Sequence, residues 1–167
     1  ITVAKKTPAL GFREFSVMSS PMSASTRDVA LADARIVFAH NTANFDLNTD
    51  VSAALGDAVN FVDQTGDDRI PMETDEPLEV ATGYIVIPNG PGPESTYTAS
   101  YTQGTLNNGK IDKELVYNGT PEGSPNLIGN PYPSAFNAFD FLAANPQVPE
   151  LYFWNQNTTP IEGPGYL

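Results

Sequence analysis

The stretch at residues 126–134, which contains two prolines, constrains the fold of this chain more than any other part of the sequence. Its central residues are Gly129, Asn130, Pro131, Tyr132 and Pro133. The glycine permits a sharp change of direction, and each proline fixes φ and removes a backbone donor. A residue that precedes a proline is driven toward extended geometry, so Asn130 and Tyr132 should not be helical. The stretch therefore predicts a rigid corner between a strand and a helix.

The segment after this corner is predicted to form one short helix at residues 135–144. Ser134 has the side chain of an N-cap, and Phe136, Phe139 and Leu142 follow at the spacing of one helical face. An asparagine followed by a proline then ends the helical pattern.

Apolar runs elsewhere in the chain predict strands. Residues 83–88 are apolar on both faces, which is typical of a buried strand, and residues 35–39, 115–117 and 151–154 are read as further strands. Residues 97–102 alternate Tyr or Ala with Thr or Ser, which is the period of a strand with one wet face. Strands separated by Gly, Pro and Asn turns predict an all-β fold, an antiparallel sandwich of jelly-roll or immunoglobulin-like kind with the one short helix.

The length of 167 residues suits one domain with a real core, so residues 1–167 are predicted to form a single sandwich domain. Both ends look cut, which indicates a fragment of a longer, multidomain chain. The absence of cysteine leaves the compartment open, because a domain of this size does not need disulfides. No apolar run approaches the ~18 residues of a membrane span.

The charge balance excludes some partners. Acidic residues outnumber basic ones by 20 to 8, for a net charge of −12, and the few Lys and Arg residues are scattered. Neutralising phosphates requires clustered cations, so nucleic acid is excluded as a partner and an anionic membrane surface is disfavoured. Charged residues make up 17%, below the roughly 25% of ordinary domains. A surface of Asn, Thr, Ser, Gly and Pro is typical of extracellular β-rich proteins.

One acidic loop has the oxygen ligands that calcium prefers. These are Asp63, Thr65, Asp67 and Asp68, and Asp46 or Asp50 could help from elsewhere. The position of Gly66 excludes an EF-hand loop. The loop is therefore interpreted either as a short Ca²⁺ site or as a solvated acidic turn.

Aromatic side chains are the candidates for binding a sugar ring. Tyr97 and Tyr101 are interleaved with Thr and Ser, so both are predicted to lie on a wet face and to bind a glycan or surface ligand. The alternative is that aromatic residues on strands pack in the core or pair across strands. Trp154 is predicted to lie in the core because its segment is strongly apolar.

No pattern predicts a catalytic residue. His40 is the only histidine, no Gly-x-Ser-x-Gly elbow occurs, and His40 is interpreted as a histidine at the end of a strand. Residues 104–110 begin like a phosphate-binding loop, but Ile111 stands where a hydroxyl is needed, so a turn is the better interpretation. A pair of acids for glycoside hydrolysis is defined by distance, which sequence does not fix. A hydrolase fragment therefore stays an alternative.

Five pieces in this order resemble a module of large secreted surface proteins of Bacteroidetes. They are residues 15–21, 81–86, 104–109, 126–134 (Asn-Leu-Ile-Gly-Asn-Pro-Tyr-Pro-Ser) and 151–155, the fourth being the most specific. The family often carries Trp where this chain has Phe61. Such proteins typically leave the cell by the type IX secretion system and carry a separate C-terminal sorting domain. The resemblance implies no catalytic residues.

The resemblance implies an extracellular or cell-surface location, outside the bacterial outer membrane. It also implies contacts with secretion machinery or an outer-membrane partner through regions beyond this sequence. The leading hypothesis is a non-catalytic module that serves adhesion or display. The alternative is a carbohydrate-binding module of a polysaccharide-degrading enzyme.

Overall fold

The computed structural model describes residues 1–11, 13–51, 61–89 and 95–155. Regular structure within these ranges is mainly strand, with short helices. In chain order the elements are β1 Val3–Leu10, β2 Ser16–Met18, α1 Arg27–Ala30, β3 Ala34–His40, a 3-10 turn Thr42–Asn44, β4 Arg69–Pro71, β5 Tyr84–Pro88, β6 Ser95–Tyr101 and α2 Ala138–Ala144. No helix in the described ranges has the length and apolar character needed to cross a membrane.

The strands form two antiparallel sheets. One has four strands in the order β2-β5-β3-β4, and the other pairs β1 with β6. The pairing of β1 with β6 shifts register between Lys6 and Ala9, where Pro8 has no N–H to donate. At this irregularity the Thr7 hydroxyl accepts a hydrogen bond from the Tyr97 backbone N–H at 2.9 Å. A side chain thus replaces a backbone acceptor where the ladder is interrupted.

One hydrophobic core joins the two sheets. The core cluster takes buried residues from β2, β3 and β5 of the larger sheet, from β6 of the smaller sheet and from α1. Val86 and Ala99, one from each sheet, are both completely buried. The structure confirms a mainly β fold with antiparallel pairing.

The predicted strands at residues 83–88 and 35–39 are confirmed as β5 and β3. Residues 115–117 and 151–154 were predicted to be strands, and this is wrong, since neither segment has strand structure. The predicted helix begins later than expected, at Ala138, with Asn137 as its N-cap in place of Ser134. Phe139 is 83% exposed, so Phe136, Phe139 and Leu142 do not form a common buried face. Phe136 packs on Phe141 instead, with 5.5 Å between the ring centroids.

An asparagine side chain substitutes for a partner strand beside residues 115–117. The Asn126 amide oxygen accepts a hydrogen bond from the Val116 N–H at 2.9 Å, and its amide nitrogen donates to the Val116 carbonyl at 2.9 Å. The same nitrogen donates to the Ser124 carbonyl. One side-chain amide therefore makes both hydrogen bonds that a paired backbone residue would make.

The corner around Gly129 was predicted to join a strand directly to a helix, and this is wrong: within the described ranges the residues before it make only one isolated bridge, Ile128 to Thr82, and α2 begins at Ala138. It is instead the point where distant parts of the chain meet. The Gly129 N–H donates to the Ala81 carbonyl at 3.1 Å, and the Gly83 N–H donates to the Leu127 carbonyl at 3.0 Å. A Cβ on Gly129 would collide with Ser19 and lie 2.8 Å from the Thr82 carbonyl oxygen. The glycine is needed for close approach at this crossing.

Polar side chains hold the corner from three sides. The Ser19 hydroxyl donates to the Asn130 carbonyl at 2.8 Å. The Asn107 amide donates to the Pro131 carbonyl at 2.9 Å. Lys5 Nζ donates to the carbonyls of Ser19 and Asn130 at 3.0 and 3.4 Å, and burial lowers the pKa of this lysine. Pro131 is buried, and the Tyr132 hydroxyl donates to the Gly109 carbonyl at 2.6 Å.

We expect Gly129→Ala to lower the free energy of unfolding by about 3 kcal/mol, because the new Cβ would meet the Ser19 Cβ and the Thr82 carbonyl oxygen, which cannot move aside without a shift of the backbone. Gly109→Ala is the matched control: Gly109 has φ of +75° but open space around it. Gly109→Ala should lower the free energy of unfolding by only about 1 kcal/mol, because alanine is strained in the left-handed conformation but meets no neighbouring atom. Chemical denaturation of both variants measures the difference. Equal losses would show that the crossing is not tightly packed.

Asn126→Asp should lower the free energy of unfolding by about 2 kcal/mol, because a carboxylate would face the Val116 and Ser124 carbonyls without a proton to donate. Asn137→Asp is the control. Asn137 only accepts hydrogen bonds from the backbone N–H groups of Phe139 and Asp140, so a carboxylate can keep its role as N-cap. Guanidinium unfolding at neutral pH compares the two. An unchanged free energy of unfolding in Asn126→Asp would contradict the pairing of the Asn126 amide with the Val116 backbone.

Candidate functional site

The two tyrosines predicted to bind a glycan lie in the core, so this prediction is wrong. Tyr97 is 6% exposed and Tyr101 is 0% exposed, whereas Thr96, Thr98 and Ser100 on the opposite face of β6 are exposed. The predicted alternation is present, but its wet face is the Thr and Ser face. A sugar ring cannot stack on either tyrosine without unfolding the protein.

The buried phenols are unusual in their hydrogen bonding. Among the described residues no partner is found for the hydroxyls of Tyr97 and Tyr101, or for Nε of Arg27 in α1. Burial raises the pKa of Tyr97 to about 12, with a smaller contribution from the charge of Asp33. Burial likewise raises the pKa of Tyr101 well above its ordinary value. Both phenols therefore stay neutral in the folded protein over the ordinary pH range.

The predicted calcium ligands divide into two groups. Asp63, Thr65 and Asp67 form one loop, in which the Thr65 hydroxyl donates to Asp67 at 2.7 Å and the Thr65 N–H donates to Asp63 at 3.0 Å. Burial alone would raise the pKa of Asp63. Its carboxylate accepts hydrogen bonds from backbone N–H groups, first that of Asp46, and from the Thr65 hydroxyl. These hydrogen bonds outweigh the effect of burial, so the pKa of Asp63 is lowered. Asp68 is buried and faces away from this set, toward His40.

No three His, Cys, Asp or Glu side chains in the described part of the chain are arranged to hold a metal ion. The carboxylates of Asp63 and Asp67 accept hydrogen bonds from residues of their own turn, and Asp63 also accepts one from the Asp46 N–H. Calcium binding at this loop stays a prediction.

His40 ends β3, as the sequence predicted, and it has partners far away in the chain. Its Nδ1 lies 3.0 Å from the Asp68 carboxylate, and its Nε2 lies 2.6 Å from the Pro125 carbonyl oxygen. A carbonyl oxygen only accepts, so Nε2 is the donor in this hydrogen bond. The Thr42 hydroxyl donates to the same carbonyl at 2.8 Å, and the Asn118 amide donates to the Thr42 carbonyl. This cluster fastens residues 118–125 to the larger sheet.

Trp154 was predicted to lie in the core, and this is wrong, since its side chain is 53% exposed. One face of the indole stacks on Phe15, with 4.2 Å between centroids and 17° between planes. Close to it in sequence, Tyr152 makes an edge contact with Phe61, with centroids 5.1 Å apart. Phe153 between them is 78% exposed. We call these five residues the aromatic surface: Phe15, Phe61, Tyr152, Phe153 and Trp154.

A small cleft borders the aromatic surface at Trp154. It has a volume of about 110 Å³ and is lined by residues of β1, by Phe15 and Ser16, and by Trp154 and Asn155. Pockets that enclose a small molecule usually measure about 300–1,000 Å³. The cleft is therefore too small to enclose a small molecule.

A carboxylate lies at the edge of the aromatic surface beside Tyr152. The Tyr152 hydroxyl donates a hydrogen bond to the Glu150 carboxylate. This hydrogen bond is the main cause that raises the pKa of Tyr152, and the charge of Glu122 acts in the same direction. The aromatic rings thus lie beside acceptor groups that could bind hydroxyl or ammonium groups.

Sequence reasoning missed Phe15 and Phe61 as site residues. Each lies more than 80 residues from its aromatic partner, so no local pattern connects them. The sequence feature that could have indicated an exposed aromatic site is the run at residues 151–154, whose apolar character instead predicts burial. Three aromatic residues in succession cannot all face one side of a strand, because neighbours point to opposite faces.

A family model matches residues 1–166 of the chain, and its description is a domain of unknown function, DUF8693. The chain therefore belongs to this family. Comparison with curated proteins and with solved structures gives no significant match.

The buried phenols predict how stability depends on pH. Folding raises the pKa of Tyr97 from 10.0 to about 12. The stability that comes from keeping this phenol neutral is therefore fully present below pH 10 and is lost as the pH rises toward 12. Tyr97→Phe should reduce this alkaline loss of stability, and the part caused by Tyr101 should remain. At pH 7 it should leave the free energy of unfolding unchanged or raise it by about 1 kcal/mol, because the removed hydroxyl has no partner in the described residues.

Guanidinium midpoints at several pH values, with tyrosinate absorbance as a second signal, measure this effect. Tyr117→Phe, at a phenol that is 68% exposed, is the control and should follow the wild type. A loss of more than about 1 kcal/mol at pH 7 in Tyr97→Phe would show that the hydroxyl makes a stabilising hydrogen bond.

Proposed function

We propose that this member of the DUF8693 family is a non-catalytic binding module of a secreted or cell-surface bacterial protein, with adhesion or display as its role. The resemblance of residues 126–134 and the other four pieces to a module of Bacteroidetes surface proteins supports this, as does the surface rich in uncharged polar residues. On this proposal the full protein is exported by the type IX secretion system. Its contacts with that machinery lie outside this sequence.

The fold that goes with this proposal is a β-sandwich of jelly-roll or immunoglobulin-like kind. Two antiparallel sheets that share one core support it. Sandwiches of this kind present loops and irregular segments on a rigid framework, where binding residues are most often found.

The observation that carries the proposal is the exposed Trp154 stacked on Phe15. The stack fixes the orientation of the indole and leaves the remainder of the side chain open to solvent. A large aromatic side chain that is held rigidly and half exposed loses little conformational entropy when it binds a ligand. Such residues are typical of binding surfaces.

A second candidate is a carbohydrate-binding module of a polysaccharide-degrading enzyme. The aromatic surface and the cleft beside Trp154 favour it, since a flat exposed ring can stack on a sugar and a small cleft can take a substituent. Both candidates use the same residues. A catalytic domain in the full-length protein would favour the second, and long repeats with a sorting domain would favour the first.

The test is depletion of the purified domain by insoluble polysaccharides such as cellulose, chitin, starch and xylan. Trp154→Ala should weaken binding about tenfold or more, the loss expected when a tryptophan is removed from the centre of a binding surface. Its thermal midpoint should change little, because half of the indole is already exposed.

Phe139→Ala is the matched control, because Phe139 is an exposed aromatic residue on α2 and not part of the aromatic surface. It should bind like the wild type. Binding that is equally weakened in both variants, or that survives Trp154→Ala, would show that the aromatic surface is not the binding site.

A further inference from the structure

The aromatic surface lies in a protein with a strong excess of negative charge. The net charge is −12, and one of the acidic residues, Glu150, accepts a hydrogen bond from Tyr152 within the surface itself. A negative field of this kind repels polyanions and concentrates cations near the protein. Charge therefore discriminates among ligands that would stack equally well on the rings.

Glu150 supplies a hydrogen-bond acceptor at the edge of a ring. Its carboxylate accepts a hydrogen bond from the Tyr152 hydroxyl and, with two oxygens, has capacity for further donors. Sugar hydroxyls and ammonium groups donate hydrogen bonds, whereas a sugar carboxylate does not. An ammonium group also gains from the faces of the exposed aromatic rings.

The openness of the site indicates a polymer. Four neighbouring or contacting aromatic residues are exposed by 42 to 78%, namely Phe61, Tyr152, Phe153 and Trp154. Tyr152 and Trp154 are two residues apart, which separates their backbones by at most about 7 Å. Rings at this spacing can contact successive units of one chain, and the cleft of about 110 Å³ at Trp154 is too small to enclose a whole ligand.

We propose that the aromatic surface binds glycan chains without acidic groups, that it binds amino-sugar chains most tightly, and that it rejects chains of uronic acids. This inference rests on the proposed function, because it names the class of ligand for the same site. The expected order of affinity is amino sugar, then neutral sugar, then uronic acid.

The sole tryptophan of the chain, Trp154, is in the site and reports binding directly through its fluorescence. The experiment titrates the domain with soluble oligomers of matched length, made of glucosamine, glucose or galacturonic acid. At low salt each exposed carboxylate should make the affinity for the glucosamine oligomer about fivefold or more higher than the affinity for the galacturonic acid oligomer. Added NaCl should reduce this separation, because it screens exposed charges.

Glu150→Gln is the informative variant. It keeps a hydrogen-bond acceptor next to Tyr152 and removes the charge, so it should weaken binding of the glucosamine oligomer and strengthen binding of the galacturonic acid oligomer, while the glucose oligomer changes little. Asp28→Asn, at an exposed acid on α1, is the control for net charge alone. The control should leave the order of affinities and their ratios as in the wild type.

The outcomes separate the inference from the proposed function. A galacturonic acid oligomer that binds as tightly as the others, or ratios that Glu150→Gln does not move, would overturn the inference while the module still binds glycans. Failure of every oligomer and every insoluble polysaccharide to bind would overturn the glycan-binding function itself. Trp154 fluorescence that changes with protein concentration but not with added oligomer would indicate that a second copy of the chain covers the surface. This result would also overturn the inference.

Discussion

The close approach of Gly129 to Ser19 and to the Thr82 carbonyl is the constraint on which the rest of the structure depends. No side chain fits at this crossing. Hydrogen bonds from the N–H groups of Gly83 and Gly129 join the two segments that cross here, residues 81–83 and 127–129. Lys5 reaches the same place from β1 and donates hydrogen bonds to the carbonyls of Ser19 and Asn130. The corner thus links the smaller sheet, the end of β2 and the long segment that follows β6.

Beyond β6 the chain is held by polar side chains more than by sheet pairing. Asn107, Asn118, Asn126 and Asn130 each bind backbone groups of other segments or of the same turn. Since an asparagine amide has the donor and the acceptor of a peptide group, it can complete a backbone pairing without a second strand. Pro131 is the only buried residue among 102–155, so this segment lies across the framework and leaves most of its aromatic side chains at the surface.

The parts of the fold that sequence predicted are those fixed by local chemistry. β5 and β3 are dense apolar runs, and the corner follows from the conformational limits of glycine and proline. The period of β6 was also correct, but a period tells only which residues share a face. Tyr and Thr are both common on strands, so the sequence of β6 could not decide which face is buried; α1 and the other sheet decide it.

The aromatic surface could not be predicted because it depends on contacts between distant residues. The run at 151–154 is apolar enough for a core strand, but a strand also requires a neighbour with free backbone groups. Within the described ranges the segment has no such neighbour and exposes its rings, and Phe15 fixes the indole of Trp154 from the far end of the chain. β1 was missed for a related reason, since Lys5, Lys6 and Pro8 weaken a strand pattern that β6 supports in three dimensions.

The most direct test of the central role of the corner is native-state hydrogen exchange of the Gly83 and Gly129 amides, with denaturant dependence. If the crossing holds the two sheets and the surface segment together, both amides should exchange only through global unfolding, with the free energy measured by chemical denaturation. Exchange of these amides through a local opening of clearly lower free energy would contradict the account, because the corner would then be an attachment to the fold and not its foundation.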